Sequence, residues 1–384
     1  MTRREVIVKA FAGELTWVQA ASLLGMTERH VRRLKARFEQ FGVDGLMDQR
    51  AGRPRARRVK VATLQEVCRL KRDVYPDFSM KHFHEFVTAK HGLTLSYTLM
   101  RSVLQDAGLV EKAPGRGKYR RKRERRPLVG MLVHLDASTH RWVEGLPMQD
   151  LVVAMDDADG RILYARFVEQ EGTRSTLEAL EHILRTHGRF AELYTDRGSH
   201  FCRTEKAGQL PAEQQDGQVT RVCRTLGIRQ ILAHSPQARG RSERAFGTIQ
   251  GRLPQELRLA DVRDYAEANA YLDKVFVKSF NRRFTVRPTQ TGSAFLPLHG
   301  VDLELLLSVQ HERVVANDST VTFNALRLQL PKTADRAHHV RCPVTVHELL
   351  RGELAVTYLG RVLAYFSSSG VLLRPHPSRR RKVA

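Results

Sequence analysis

Cysteine is scarce in this chain: only Cys68, Cys202, Cys223 and Cys342 occur in 384 residues, and no two of them form a CxxC pair. That spacing argues against a disulfide framework or a zinc knuckle and leaves four buried thiols as the simplest expectation. His200 can be set beside Cys202 and Cys223 as a zinc donor, but their spacing supports such a site poorly. No apolar run approaches the ~20 residues a membrane-spanning helix needs. The opening MTRREVIVKAFAGELT lacks the uninterrupted apolar stretch of a secretory signal, so a cytoplasmic location and no membrane partner are expected. No GxxxxGK[ST] motif is present, so a nucleotide-cradling loop is not expected.

What the chain has in abundance is positive charge. Its formal net charge is +23, from 64 Lys plus Arg against 41 Asp plus Glu, and 29 basic but only 13 acidic residues precede Met131. The first third thus carries +16 and the remainder +7. Such a surplus attracts polyanions, of which nucleic acid is the commonest and an acidic membrane the rival. The length and a 42% hydrophobic content allow a core in each of two or three domains.

In TWVQAASLLGMTERHVRRLKARF, Thr16 and Gln19 have capping-box spacing, so a helix is expected to begin near Thr16 and to end at Gly25. Thr27 caps a second helix, on which Val31 and Leu34 point inward with Ala21 and Leu24 of the first. The pair reads as a helix-turn-helix over 1–49. Arg29, His30, Arg32, Arg33 and Lys35 are left outside the packed face, some for base edges and others for phosphates, with Glu28 beside them. The alternative is an ordinary helical hairpin with a solvated basic face. Residues 50–61 hold five arginines from Arg50 to Arg58, and Gly52 and Pro54 rule out a continuous helix there. They read as an extended arm whose Arg53 and Arg55 suit a narrow minor groove, or else as a solvated linker. A second helical DNA-binding domain is read over 62–110. A basic linker over 111–127 follows, with nine Lys or Arg between Lys112 and Arg126; its Arg120 and Arg121 are expected along phosphates.

From Met131 the texture becomes β then α. MLVHLD reads as a short strand ending in Asp136, LVVAMD and RILYARFV flank a hairpin turn, and AELYTD brings a strand ending in Asp196. Helices are expected over about 173–187, across VTRVCRTLGI, and from near Ser242, with a last strand in RQILA. Three strands, helix, strand, helix, strand, helix make a mixed α/β layer and not a doubly wound sheet. On the last helix, Glu243, Phe246, Ile249 and Leu253 fall close to one face, which puts Glu243 on the continuation of a buried stripe. Three carboxylates converging there would repel one another unless a cation sat between them, and Mg²⁺ selects oxygen ligands of this kind. Each acid also has a duller reading. Asp136 can cap through Ser138 or Thr139, Asp196 can close a turn over Arg197-Gly198, and Glu243 can favour the positive end of its helix. Asp156, Asp157 and Asp159 read as turn residues, and His134, on the Asp136 face, either as a residue touching the site or, preferably, as a core histidine.

HLDAST, YTDRGSHF and HSPQARGRSERAFGTIQ resemble the three acid-bearing motifs of DDE transposases in the retroviral-integrase-like superfamily. Most of the chain is similar to bacterial insertion-sequence transposases of the ISNCY group. The resemblance implies an RNase H-like catalytic core over 128–290, with Asp136, Asp196 and Glu243 as catalytic and metal-binding triad. It also implies two Mg²⁺ ions, replaceable by Mn²⁺, about 3.5 to 4 Å apart for phosphodiester chemistry. Two features depart from the pattern. The interval from Asp196 to Glu243 is 47 positions, longer than the family commonly has, and Gln250 stands where relatives often carry a basic residue. A phosphate contact there falls to Gln250, Arg244 or Arg252.

Beyond about Leu305 short alternating strands suggest a small β-barrel over 305–375, followed by a basic tail, 376–384. The resemblance implies binding of terminal inverted repeats, end cleavage to a 3′-OH and strand transfer into target double-stranded DNA. A homodimer or higher synaptic assembly would do this, associated with the nucleoid when on DNA. The rival readings are a domesticated, catalytically silent DNA-binding regulator and a plain RNase H-like nuclease.

Overall fold

Helix limits near the N-terminus follow from side-chain caps that can be read in the sequence. The computed structural model describes residues 1–47, 59–112, 124–198, 201, 217–233, 240–332 and 338–373. It divides into one unit of 1–74 with 98–109 and another of 75–97 with 110–384. In the first, α1 (Arg3–Phe11) opens on a Thr2/Glu5 capping box and α2 (Trp17–Leu24) on the expected Thr16/Gln19 box. Gly25 ends α2 at φ 59°, a left-handed conformation that a side chain would resist. Thr27 then caps α3 (Glu28–Phe41), whose Val31 and Leu34 bury against Ala20, Ala21, Val6 and Ile7. The chain continues through α4 (Val61–Arg69), α5 (Met80–His91) and α6 (Tyr97–Asp106), of which α5 belongs to the second unit.

The second unit is built on a five-stranded sheet. Its strands are β1 (Leu132–His140), β2 (Gln149–Asp156), β3 (Ile162–Val168), β4 (Glu192–Thr195) and β5 (Arg229–Leu232), in the order β3-β2-β1-β4-β5. The first three pair antiparallel, while β1 with β4 and β4 with β5 are parallel. This is the mixed layer expected from the sequence. Alternation along β1 sends Val133 and Leu135 to one face, where they pack with α7 (Thr173–Thr186) and α8 (Gln218–Leu226). The opposite face carries Leu151 and Val153 of β2, covered by α9 (Ser242–Gln250), α10 (Leu253–Leu259), α11 (Tyr265–Tyr271) and α12 (Val277–Phe284).

One expectation about β1 is corrected. The strand does not stop at Asp136 but runs on to His140, because β2 pairs with it along its whole length while β4 ends at Thr195. Asp136 therefore lies within the strand, just past its parallel pairing.

The C-terminal part forms a sheet without a closed ring among the described residues. After α13 (Leu303–Leu306) come β6 (Val309–Val314), the hairpin of β7 (Thr320–Phe323) and β8 (Leu326–Gln329), then β9 (Pro343–Glu348), β10 (Leu354–Tyr358), β11 (Arg361–Phe366) and β12 (Leu372–Leu373). The sheet order is β12-β11-β10-β9-β6, and β7 pairs only with β8, so the ladder that would close a barrel is missing. The two sheets nevertheless share one core, with Val321, Phe323 and Leu328 against Val346, Val356 and Phe366. Cys68, Cys223 and Cys342 are free thiols, Cys68 only half-buried. Cys202 and His200 lie outside the described residues. No helix among the described residues is long and apolar enough to cross a membrane.

Candidate nucleic-acid-processing site

The pairing of β1 with β4 sets Leu132 opposite Glu192, Val133 opposite Leu193 and His134 opposite Tyr194. The parallel pairing stops there: Asp136 lies two residues further along β1, and Asp196 directly follows the end of β4. In-register residues of adjacent strands share a sheet face, and the His134 and Tyr194 rings lie 5.0 Å apart on theirs, the face toward which Asp136 also alternates. It is the face that α9 covers. Asp136 Oδ1 accepts from the Ala137 N–H at 2.9 Å, and Asp196 Oδ1 from the Gly198 N–H at 2.8 Å, the turn foreseen as the duller role of Asp196.

Helix α9 has three differently occupied faces. Ser242, Phe246 and Ile249 are buried toward the sheet. Arg241, Arg244, Ala245 and Thr248 line a cavity of about 530 Å³ together with His134 and Phe284. Glu243 is exposed, so it is not on the buried stripe as expected, and it shares the remaining flank with Gly247 and Gln250. That flank reaches β1: the Gln250 Nε2 donates to Ser138 Oγ at 2.8 Å. Ser138 is two residues beyond Asp136 on the same strand face.

Beside this lies a buried carboxylate pair that sequence reasoning passed over as turn residues. Asp157, 1% exposed, receives a hydrogen bond with His134 Nε2 at 2.7 Å, the Arg126 N–H at 2.8 Å and the Arg241 guanidinium. Burial alone would push its carboxyl up, but His134, Arg126 and Arg241 outweigh it and hold the group well below the usual carboxylate range. Asp156 accepts from the Gly130 N–H at 2.6 Å and the Ala158 N–H at 2.8 Å, yet burial pushes it up to about 6. Gly130 sits at φ 80°, and a Cβ there would meet Phe295 at 2.7 Å. The signal available in the sequence was His134, two residues before Asp136 and so on its face. Nothing local announced its partner Asp157.

Hard divalent cations take carboxylate oxygens, so Asp136 and Asp196 suit Mg²⁺ by donor chemistry. Among the described residues, however, no three or more His, Cys, Asp or Glu side chains are gathered into a group able to hold a metal ion. Glu243 would have to turn in toward the pair to complete one.

The nucleic-acid contacts expected from the sequence fall into three sets. Arg29, His30, Arg32 and Arg33 are exposed on α3, Arg32 paired with Glu28 at 3.4 Å. Lys35 is half-buried, 3.7 Å from Glu39 and over the Trp17 ring. Arg244 is exposed, its Nε donating to the Gly240 carbonyl at 2.7 Å. Arg252, by contrast, is 4% exposed, lies 2.9 Å from Glu85 and stacks over Phe284, so it does not stand on the surface as a phosphate contact would. Arg53, Arg55, Arg120 and Arg121 lie outside the described residues.

Residues 3–66 match the winged helix-turn helix family. Over 369 residues the chain is 32% identical to the y4bF protein of Sinorhizobium fredii, named as a transposase, an alignment covering 95% of this chain and 80% of that one. It is 26% identical over 358 residues to the transposase for insertion sequence IS1202 of Streptococcus pneumoniae, covering 84% of this chain and 76% of that one. The HTLV-2 integrase catalytic core domain in complex with magnesium overlaps 39% of this chain and 90% of that domain, at 17% identity and a TM-score of 0.28. A simian T-cell lymphotropic virus intasome chain overlaps 78% of this chain and 100% of that one, at 14% identity and a TM-score of 0.35. Structural overlaps so loose carry no weight beside the two sequence relationships.

Proposed function

Because this chain belongs to the family of bacterial insertion-sequence transposases, we propose that it binds the terminal inverted repeats of its element and cleaves and joins DNA through Asp136, Asp196 and Glu243. The observation that carries the reading is the parallel pairing of β1 with β4, which sets Asp136 two residues past its last pair while Asp196 directly follows β4, on the side of the sheet where α9 bears Glu243. A bound divalent cation, Mg²⁺ or Mn²⁺, would supply the charge that activates an attacking oxygen and steadies a leaving one, and a second ion would share that work. Asp136 and Asp196 would hold it through their carboxylate oxygens and Glu243 would complete the set. Since joining exchanges one phosphodiester for another, no nucleotide enters the reaction.

DNA recognition is assigned to the winged helix-turn-helix. Arg29, His30 and Arg33 present exposed donors on α3, and the surplus of +16 before Met131 draws the duplex in. The alternative, a DNA-binding regulator with a silent core, is favoured by one observation: the three acids are not gathered into a metal-holding group. The deciding experiment incubates purified protein with duplexes cut from the DNA flanking its gene, in Mg²⁺ or Mn²⁺. Nicked ends and joined products are expected for a transposase. Binding without either product would give the regulator, and nicking without joining a nuclease.

A further inference from the structure

We propose that α9 is held across Asp136 by two struts, one at each end, which make Arg241, Asp157, His134 and Gln250 positioning residues for Glu243. The inference rests on the functional reading above and extends it to side chains that touch neither DNA nor metal.

The first strut is at the start of the helix. Arg241 occupies the N-cap of α9 in an α-helical conformation, without a side-chain cap hydrogen bond. Its guanidinium instead pairs with buried Asp157, whose Oδ1 lies 2.7 Å from His134 Nε2 on β1. An ionised carboxylate that deep is tolerated only while its partners stay in place, so the geometry is stiff. The second strut is at the other end, where Gln250 reaches Ser138 of β1 at 2.8 Å. His134 and Ser138 are the residues two before and two after Asp136, all on one strand face. A helix of nine residues is thereby pinned on both sides of one acid. Arg241 and Glu243 are two residues apart on a helix and so point to different flanks. The strut draws one flank down on the hairpin turn and leaves Glu243 on the flank of Gln250, beside β1. In this proposal Gln250 holds the helix and not a phosphate.

The test uses the full-length protein with Arg241→Met, Arg241→Lys, Gln250→Ala and, as control, Glu243→Gln. Amide hydrogen exchange, read without added metal, is expected to rise at least about tenfold across 242–250 in Arg241→Met and Gln250→Ala, while β2 and α7 stay protected. Mg²⁺-dependent cleavage of an end duplex should fall about tenfold or more in both, with a higher Mg²⁺ requirement and unchanged duplex affinity. Arg241→Lys, which keeps the cation, should recover most of the rate. If Arg241→Met does not fold, Gln250→Ala decides alone, since it removes a half-buried neutral group. Wild-type exchange and rate in the strut variants, with cleavage lost in Glu243→Gln, would overturn the proposal and leave the functional reading standing. Normal cleavage by Glu243→Gln would remove Glu243 as the group being positioned and the functional reading with it.

Discussion

At the scale of single residues, burial decides what a charged side chain does, and two residues make the point. His82 is 2% exposed, stacks on Phe78 at 4.1 Å and lies 3.5 Å from Glu256. Burial, then the charges of Arg252 and Arg283, push it down to about 4 from an ordinary 6.5. Between those values the unfolded chain takes up a proton that the folded chain refuses. The contribution to stability is therefore complete above pH 6.5 and is lost as pH falls toward 4. Asp156, raised to about 6, acts oppositely over the acid range, so the comparison of His82→Phe with wild type isolates the histidine. Urea midpoints against pH should show a flatter acid limb in His82→Phe; an unchanged limb would remove His82 as its cause. Arg252 is the second case. Arg252→Met removes a buried partner from Glu85, which keeps Lys81 and Arg283, and is expected to cost about 1–3 kcal/mol in urea unfolding, while the folded protein keeps its DNA affinity. Loss of affinity without loss of stability would restore Arg252 as a phosphate contact.

At the scale of elements, the sheet ends where side chains take over its hydrogen bonds. Strand β3 is an edge, and its outward backbone groups are met by two asparagine amides. Asn281 accepts from the Ile162 N–H at 2.8 Å and donates to its carbonyl at 2.9 Å. Asn269 does the same for Phe167, at 2.8 and 3.2 Å. Each amide imitates a sixth strand and ties α11 or α12 to the sheet. Asn281→Ala should leave two backbone groups unmet and cost about 1–3 kcal/mol by thermal or chemical unfolding; a neutral result would contradict this account of the edge. Elements governed by local rules were legible in the sequence: the Thr16/Gln19 cap, the Gly25 stop and the helix opening at Ser242 all appear where expected. What was not legible depended on partners far along the chain. The length of β1 is set by β2, the burial of Asp157 by His134 and Arg241, and the burial of Arg252 by Glu85, and no window of sequence contains both members of such a pair. The exposure of Glu243 had another cause: the expected stripe counted Leu253, which belongs to α10, whereas the buried stripe of α9 itself is Ser242, Phe246 and Ile249.

At the scale of the whole molecule, the chain joins a basic, helix-rich N-terminal portion to a mixed sheet that carries Asp136 on β1 and is followed by Asp196 at the end of β4. In the proposed function charge brings the duplex while Asp136 and Asp196 offer oxygen ligands, separable tasks on separable residues. The most direct measurement is therefore a paired one on full-length protein, scoring end-duplex binding and Mg²⁺-dependent cleavage for wild type, Asp136→Asn and Asp196→Asn. Both variants are predicted to bind as wild type does and to show no cleavage. Cleavage at the wild-type rate by either variant would contradict the account.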